Sequence, residues 1–346
     1  MRRVEHSSDS SLKLGPRMAA VFNNVTISSP LINDSLRFCS SWTTDLVIRS
    51  HSPSSYAVTL TTTVIIAILS PLAVVGNGLI MVVIWKNETL RTPSYILLCG
   101  LAFTDTFTGL IAQPFYVTAE LICLQKPHAV KNQLLLLRSS RGIVEASSAY
   151  FSFLTIILIA LMSIERWIHM TRRSLLSVRR TGIIVTIVKL LLIPFAVFRL
   201  LDYLNGNSPF FYYVTAFVIF LVGFLITSIA YFRVYQVIRR HQKQLKDSQH
   251  PQNFGGRDIN FEKYRKSVLT VLYILVVFYI CYVPSFIMIG FFMFSYHHSV
   301  LQLLYVISTM LWLMSSSLNP LIYLWKMNEI RKGVKKLLKP PFCQEN

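Results

Sequence analysis

The sequence predicts an all-α membrane protein, a bundle of seven transmembrane helices followed by a short amphipathic C-terminal helix. Three observations predict it. The 346 residues are 53% hydrophobic and only 14% charged, against about 25% charged in soluble domains. Mean hydropathy is +0.51. The net charge of +19 is clustered between apolar runs, which is how a chain pins its loops to one side of a bilayer, rather than spread as on a nucleic-acid-binding surface.

Apolar runs fall near residues 56–85, 94–118, 143–165, 181–201, 209–238, 267–294 and 300–325. Each reaches the ~20 residues needed to cross a bilayer. The fourth is weakened by Lys189. Lys and Arg gather after span one (Lys86, Arg91), after span three (Arg166, Arg172, Arg173, Arg179, Arg180), between spans five and six, and after span seven. The positive-inside bias makes these segments cytoplasmic, with the N-terminus outside and the C-terminus inside. Residues 1–55 are expected to be an extracellular tail, disordered over most of its length because it is polar and Ser-rich. Asn24-Val25-Thr26 and Asn33-Asp34-Ser35 are glycosylation sequons in that tail. No cleavable leader is visible, so span one is expected to act as its own insertion signal. Residues 56–325 form the helix domain and 326–346 the amphipathic helix and tail.

Span seven ends in "SSSLNPLIYLWKMNEIRKGVKKLLKPPFC". Proline inside a helix removes a hydrogen bond and costs about 3 kcal/mol in water. A membrane bundle tolerates it when neighbouring helices and side chains satisfy the freed carbonyl. Further signatures stand in the other spans: Gly76-Asn77 in span one, "LAFTD" with Asp105 in span two, "SIERW" with Glu165, Arg166 and Trp167 closing span three, Tyr231 in span five, and "FYICYVP" with Phe278, Tyr282 and Pro284 in span six. In order and at these spacings, the chain resembles the rhodopsin-like (class A) G-protein-coupled receptors over residues 56 to about 340.

The resemblance implies roles. Asn77, Asp105, Thr155, Ser316 and Asn319 correspond to a sodium or water site, with Asn319 reaching Asp105 through water. Glu165 would hold Arg166 at rest and release it towards a heterotrimeric G protein when span six swings out; Tyr231, Asn319, Pro320 and Tyr323 belong to the same coupling set. Phe278, Tyr282 and Pro284 correspond to the transmission switch, with Tyr282 where the family usually has Trp. At the foot of span six Tyr264 stands where an acidic residue often pairs with the arginine, so that lock is expected to be absent and basal activity raised. The segment after Tyr323 alternates apolar and basic residues, as expected of a helix lying on the inner leaflet. Cys343 beyond it is a candidate palmitoylation site.

Departures from the family pattern also inform. The expected Cys at the top of span three is Arg141, the segment 202–208 has no Cys, span four lacks the family Trp, and span five has Gly223 near the expected Pro. The missing Cys, short second outer loop and missing Pro resemble the melanocortin receptors, and the missing Cys alone resembles the cannabinoid and lysophospholipid receptors. Cys39 and Cys123 are the two cysteines expected outside, a candidate bridge from the tail to the first outer loop. Ser148 replaces the Asp of amine receptors, and Leu313 the retinal Lys of opsins. Glu120, Glu145 and Arg141 are the charged groups near the expected pocket mouth. Glu120 with Glu145 suits a basic peptide, Glu145 with Arg141 a zwitterionic lipid headgroup, and a solvated or mutually paired role suits all three.

No paired catalytic carboxylates, nucleophile triad, metal-spaced cluster or phosphate loop is present, so an enzyme is not expected. The functional expectation is a receptor that binds an extracellular peptide or lipid-like ligand and activates a heterotrimeric G protein. The alternatives are a non-signalling or scavenging seven-helix binder and, more distantly, a transporter, which would want internal repeats or several charges deep in its spans.

Overall fold

The structure, a computed structural model, describes residues 53–125, 133–171, 177–205, 210–247, 255–293 and 299–338. The expectations for Asn24, Asn33, Cys39 and Cys343, and for the side chain of Tyr264, lie outside the described residues. Among those described, the regular elements are helices: α1 (Pro53–Lys86), α2 (Pro93–Cys123), α3 (Leu134–Thr171), α4 (Val178–Leu204), α5 (Phe210–Asp247), α6 (Gly255–Met293), α7 (Ser299–Lys326) and α8 (Asn328–Leu338). The first six contain stretches long and apolar enough to span a bilayer. In α7 the polar residues Ser308, Ser315, Ser316, Ser317 and Asn319 are buried. Those side chains face the bundle instead of lipid, where unsatisfied polar groups are costly.

Local chemistry sets the ends. Ser177 caps α4 by accepting the Arg180 amide, the role for which Ser is favoured at a helix start. Pro93 opens α2, where its missing N–H costs nothing. Within α2 a π turn over Thr108–Ala112 precedes Gln113-Pro114. The turn re-aims everything beyond it, and Gln113, Tyr116 and Glu120, spaced to share one helical face, are buried.

The most buried of the six apolar spans is α3, and α4 is the least. Span four's expected Trp is absent, and Val185 of α4 and Leu158 of α3 both pack against Gly100 of α2. Lys189 lies nearby with its ammonium 3.6 Å from the Phe103 ring centre, a cation–π contact that eases a charge in an apolar setting. Two glycines permit close approach. A Cβ built on Gly76 lies 2.8 Å from Cβ and Cγ of Pro320, so α1 and α7 can pack at this depth only without a side chain there. Gly223, near the place of the missing proline, likewise faces Ile156 of α3.

The amphipathic α8 docks through Ile330 and Val334, both buried, and turns its lysines outward. Ile330→Ala is expected to lower stability by about 2–5 kcal/mol, whereas exposed Lys335→Ala is expected to stay within about 0.5 kcal/mol. Melting temperatures of the purified protein check both.

Candidate functional site

At the end of the bundle opposite Arg166, helices α2, α3, α5, α6 and α7 surround a cavity of about 110 Å³. Its wall is aromatic: Tyr116, Tyr212, Tyr213, Phe286, Tyr305 and Trp312 all line it. Apolar faces with a few placed polar groups are the usual make-up of a small-ligand pocket.

Two ion pairs stand at this end. The Arg141 guanidinium donates to Glu120 Oε1 at 2.8 Å, with the side chains 16% and 5% exposed. The Arg199 guanidinium donates to Glu145 Oε2 at 2.9 Å and has Asp202 3.9 Å from its other Nη. Of the pairings open from sequence, Glu145 therefore does not pair with Arg141; each acid has its own arginine. The reason is topological: Arg199, one of the last residues of α4, is brought against Glu145 of α3, while the π turn aims Glu120 at Arg141. Cys123 is buried beside that pair, its sulfur 3.9 Å from Arg141. Ser148, one turn below Glu145, lines the cavity. Its hydroxyl is buried without a hydrogen-bond partner among the described residues.

Tyr282 lines the cavity and stacks on Phe278 at 4.2 Å between ring centres, with the Trp312 ring edge-on at 6.4 Å. Its hydroxyl is within hydrogen-bonding reach of Thr155, Ser315 and Trp312. Thr155 thus stands near the Tyr282 hydroxyl. Below lies Asp105, 2% exposed. The Asn319 amide donates directly to its Oδ2 at 2.7 Å, so the water expected between them is not needed. Ser316 stands beside the same carboxylate. Asn77 donates to the carbonyls of Ala73 and Ser316, each at 2.9 Å, tying α1 to α7 where Pro320 interrupts the ladder. Pro284 lies inside α6, above Tyr282.

At the other end Glu165 is 3% exposed and takes a hydrogen bond from Ser94 at 2.8 Å. Its Oε2 lies 3.7 Å from Arg166 Nε. Val271 and Ile274 of α6 and Met327 after α7 close a narrow cleft over Arg166. Tyr323 is fully buried, its hydroxyl unpartnered among the described residues. Tyr231 of α5 packs against the same core as Tyr323.

The profile of the "7 transmembrane receptor (rhodopsin family)" matches residues 76–204 and 198–323. The chain belongs to that family. The receptor is 24% identical to neuromedin-U receptor 2 of Mus musculus, over 89% of this chain and 83% of that one. It is 23% identical to sphingosine 1-phosphate receptor 1 of Danio rerio, over 81% and 78%. Its fold is similar to squid rhodopsin, with a TM-score of 0.67 at 18% identity, covering 84% and 89% of the two chains. The chain is therefore a ligand-binding G-protein-coupled receptor and a multi-pass membrane protein, and the proteins it resembles are signalling receptors rather than enzymes.

Sequence reading missed Arg199, Ser94 and the tyrosines at 212 and 213. A signal was available for the first: an arginine near the end of an apolar run, three residues before an aspartate, is a charge that membrane burial makes costly without a partner.

Proposed function

We propose that the cavity receives an extracellular peptide or lipid-like ligand and that its occupancy is relayed to a heterotrimeric G protein at Arg166. The observation that carries the reading is Tyr282. Its ring is part of the cavity wall, and its hydroxyl enters the polar layer of Thr155 and Ser315 above Asp105. A ligand that moves this ring disturbs α3, α6 and α7 at once, and a ligand shifts a conformational equilibrium only through such differential contacts. The relatives are named for different ligands, neuromedin-U and sphingosine 1-phosphate, so the ligand is proposed as a class. The plasma membrane, with the N-terminus and its sequons outside, is the setting that fits this role. Glu165, Tyr231, Asn319, Pro320 and Tyr323 form the proposed coupling set, with Phe278, Tyr282 and Pro284 as the switch. Cys343 remains the proposed lipid anchor.

Filling the cavity tests the reading. Cells carrying wild type or Ser148→Trp at matched surface level are screened for G-protein activation with peptide and lipid libraries. Ligands that activate wild type are expected to lose activity on the variant; equal responses from both would place the ligand elsewhere.

The donors around Asp105 suit a sodium ion. The Asp105 carboxylate with Ser316 beside it, and the Asn77 Oδ1, which is buried without a partner among the described residues while its amide reaches the Ser316 carbonyl, are hard oxygens of the kind alkali and alkaline-earth ions prefer. Bound there, the ion would supply positive charge against Asp105 in the resting bundle. Sodium chloride is expected to raise the melting temperature of wild type above that in choline chloride, and Asp105→Asn to abolish the difference.

A further inference from the structure

Glu145 does not meet the cavity as a bare carboxylate. It lines the cavity with its side chain 24% exposed, while Arg199 stands behind it, 3% exposed and bonded to Oε2 at 2.9 Å. The guanidinium carbon of Arg199 lies 4.7 Å from the Tyr212 ring centre. Tyr213 and Tyr305 stand within electrostatic reach of the same carboxylate. A carboxylate with tyrosines around it suits recognition of an organic cation, and one cation, the protein's own, already occupies it.

Two details make that occupancy displaceable. Among the described residues Arg199 Nε is buried without a hydrogen-bond partner, so the guanidinium is only partly satisfied where it sits, and an unpaired buried donor weakens the hold. Asp202, one turn along α4, lies 3.9 Å from its Nη1, so a carboxylate is within reach when Glu145 turns away. The unpartnered Ser148 hydroxyl, one turn below Glu145, provides a second contact for an incoming polar group.

We propose that Glu145 and its tyrosines bind a guanidinium or ammonium group of the ligand, and that Arg199 is an internal stand-in which the ligand displaces towards Asp202. The assignment rests on the cavity being the ligand site. It favours a basic ligand over a zwitterionic headgroup, because the pair that opens exposes a carboxylate.

The test uses the full chain in lipid nanodiscs, with N-acetyl-arginine amide as probe and the neutral N-acetyl-citrulline amide as control, followed by ligand-observed NMR. Wild type is expected to bind the arginine probe and not the citrulline one. Arg199→Gln is expected to bind it about tenfold tighter, as for a site that is open about a tenth of the time before the change. Glu145→Gln is expected to lose it. Asp202→Asn keeps Arg199 in place but removes its alternative partner, and is expected to weaken probe binding, which covers the case in which Arg199→Gln does not fold. Unchanged or weaker binding in folded Arg199→Gln, or unchanged binding in Asp202→Asn, would make Arg199 a support for Glu145 and overturn the displacement. No charge-selective binding in any folded variant would overturn the cation site while leaving the cavity reading to the Ser148→Trp screen.

Discussion

Arg166→Ala, displayed at the same surface level as wild type, is expected to lose G-protein activation by at least about tenfold, with or without ligand. Arg166 sits at the base of the cleft that Val271 and Ile274 of α6 close, so outward movement of α6 would uncover it. Its neighbour Glu165 is 3.7 Å away and shared with Ser94. An approach of 3.7 Å to a carboxylate oxygen that also accepts a bond from another helix is a modest restraint. Glu165→Gln is therefore expected to raise ligand-free signalling about three- to tenfold, since a shift of about 1 kcal/mol in a two-state equilibrium changes the minor population by about that factor. Ligand-free activation across G-protein classes measures both variants. An Arg166→Ala receptor that signals like wild type would remove this arginine from the coupling mechanism.

Glu120→Gln is expected to destabilise the receptor by about 3–5 kcal/mol, the usual result of leaving one member of a buried ion pair without its partner. Arg141 stands where the family has the cysteine of its outer disulfide, and its bond to Glu120 fastens α2 to α3 at that end of the bundle. Arg141→Ala is expected to be similarly damaging. The double change Glu120→Leu with Arg141→Met is expected to recover most of the loss, because an apolar pair of similar volume avoids the desolvation of two charges. Melting temperatures in detergent check all three. A Glu120→Gln protein as stable as wild type would show that the pair is incidental to the packing of this end.

Much of this was legible in the chain. Helix number and order followed from the length of the apolar runs, because a bilayer admits few spanning structures. Asp105, Asn319 and Asn77 were identifiable because a polar side chain in an apolar run needs a partner; Asn319 finds Asp105, and Asn77 finds the Ser316 carbonyl. Gly76 also has a local reading: it lies beside Asn77, and only the packing explains it, through Pro320. The pairing of charges was not legible. Glu120, Glu145 and Arg141 were all expected near the pocket mouth, and sequence left their partners open. The π turn in α2 and the depth of α4 against α3 settle the matter, and both are set by contacts between helices far apart in the chain.

By itself, then, the sequence determined that the chain crosses the membrane as helices, which segments are basic, and which polar residues lie in the bundle. These follow from solvation and helical period, which act along the chain. Only the tertiary structure decided that Arg199 answers Glu145, that Tyr282 reaches the layer above Asp105, and that Ser148 is left unpartnered beside a cavity. Those depend on distances of a few ångströms between separate helices, where a rotation of one residue replaces one partner by another.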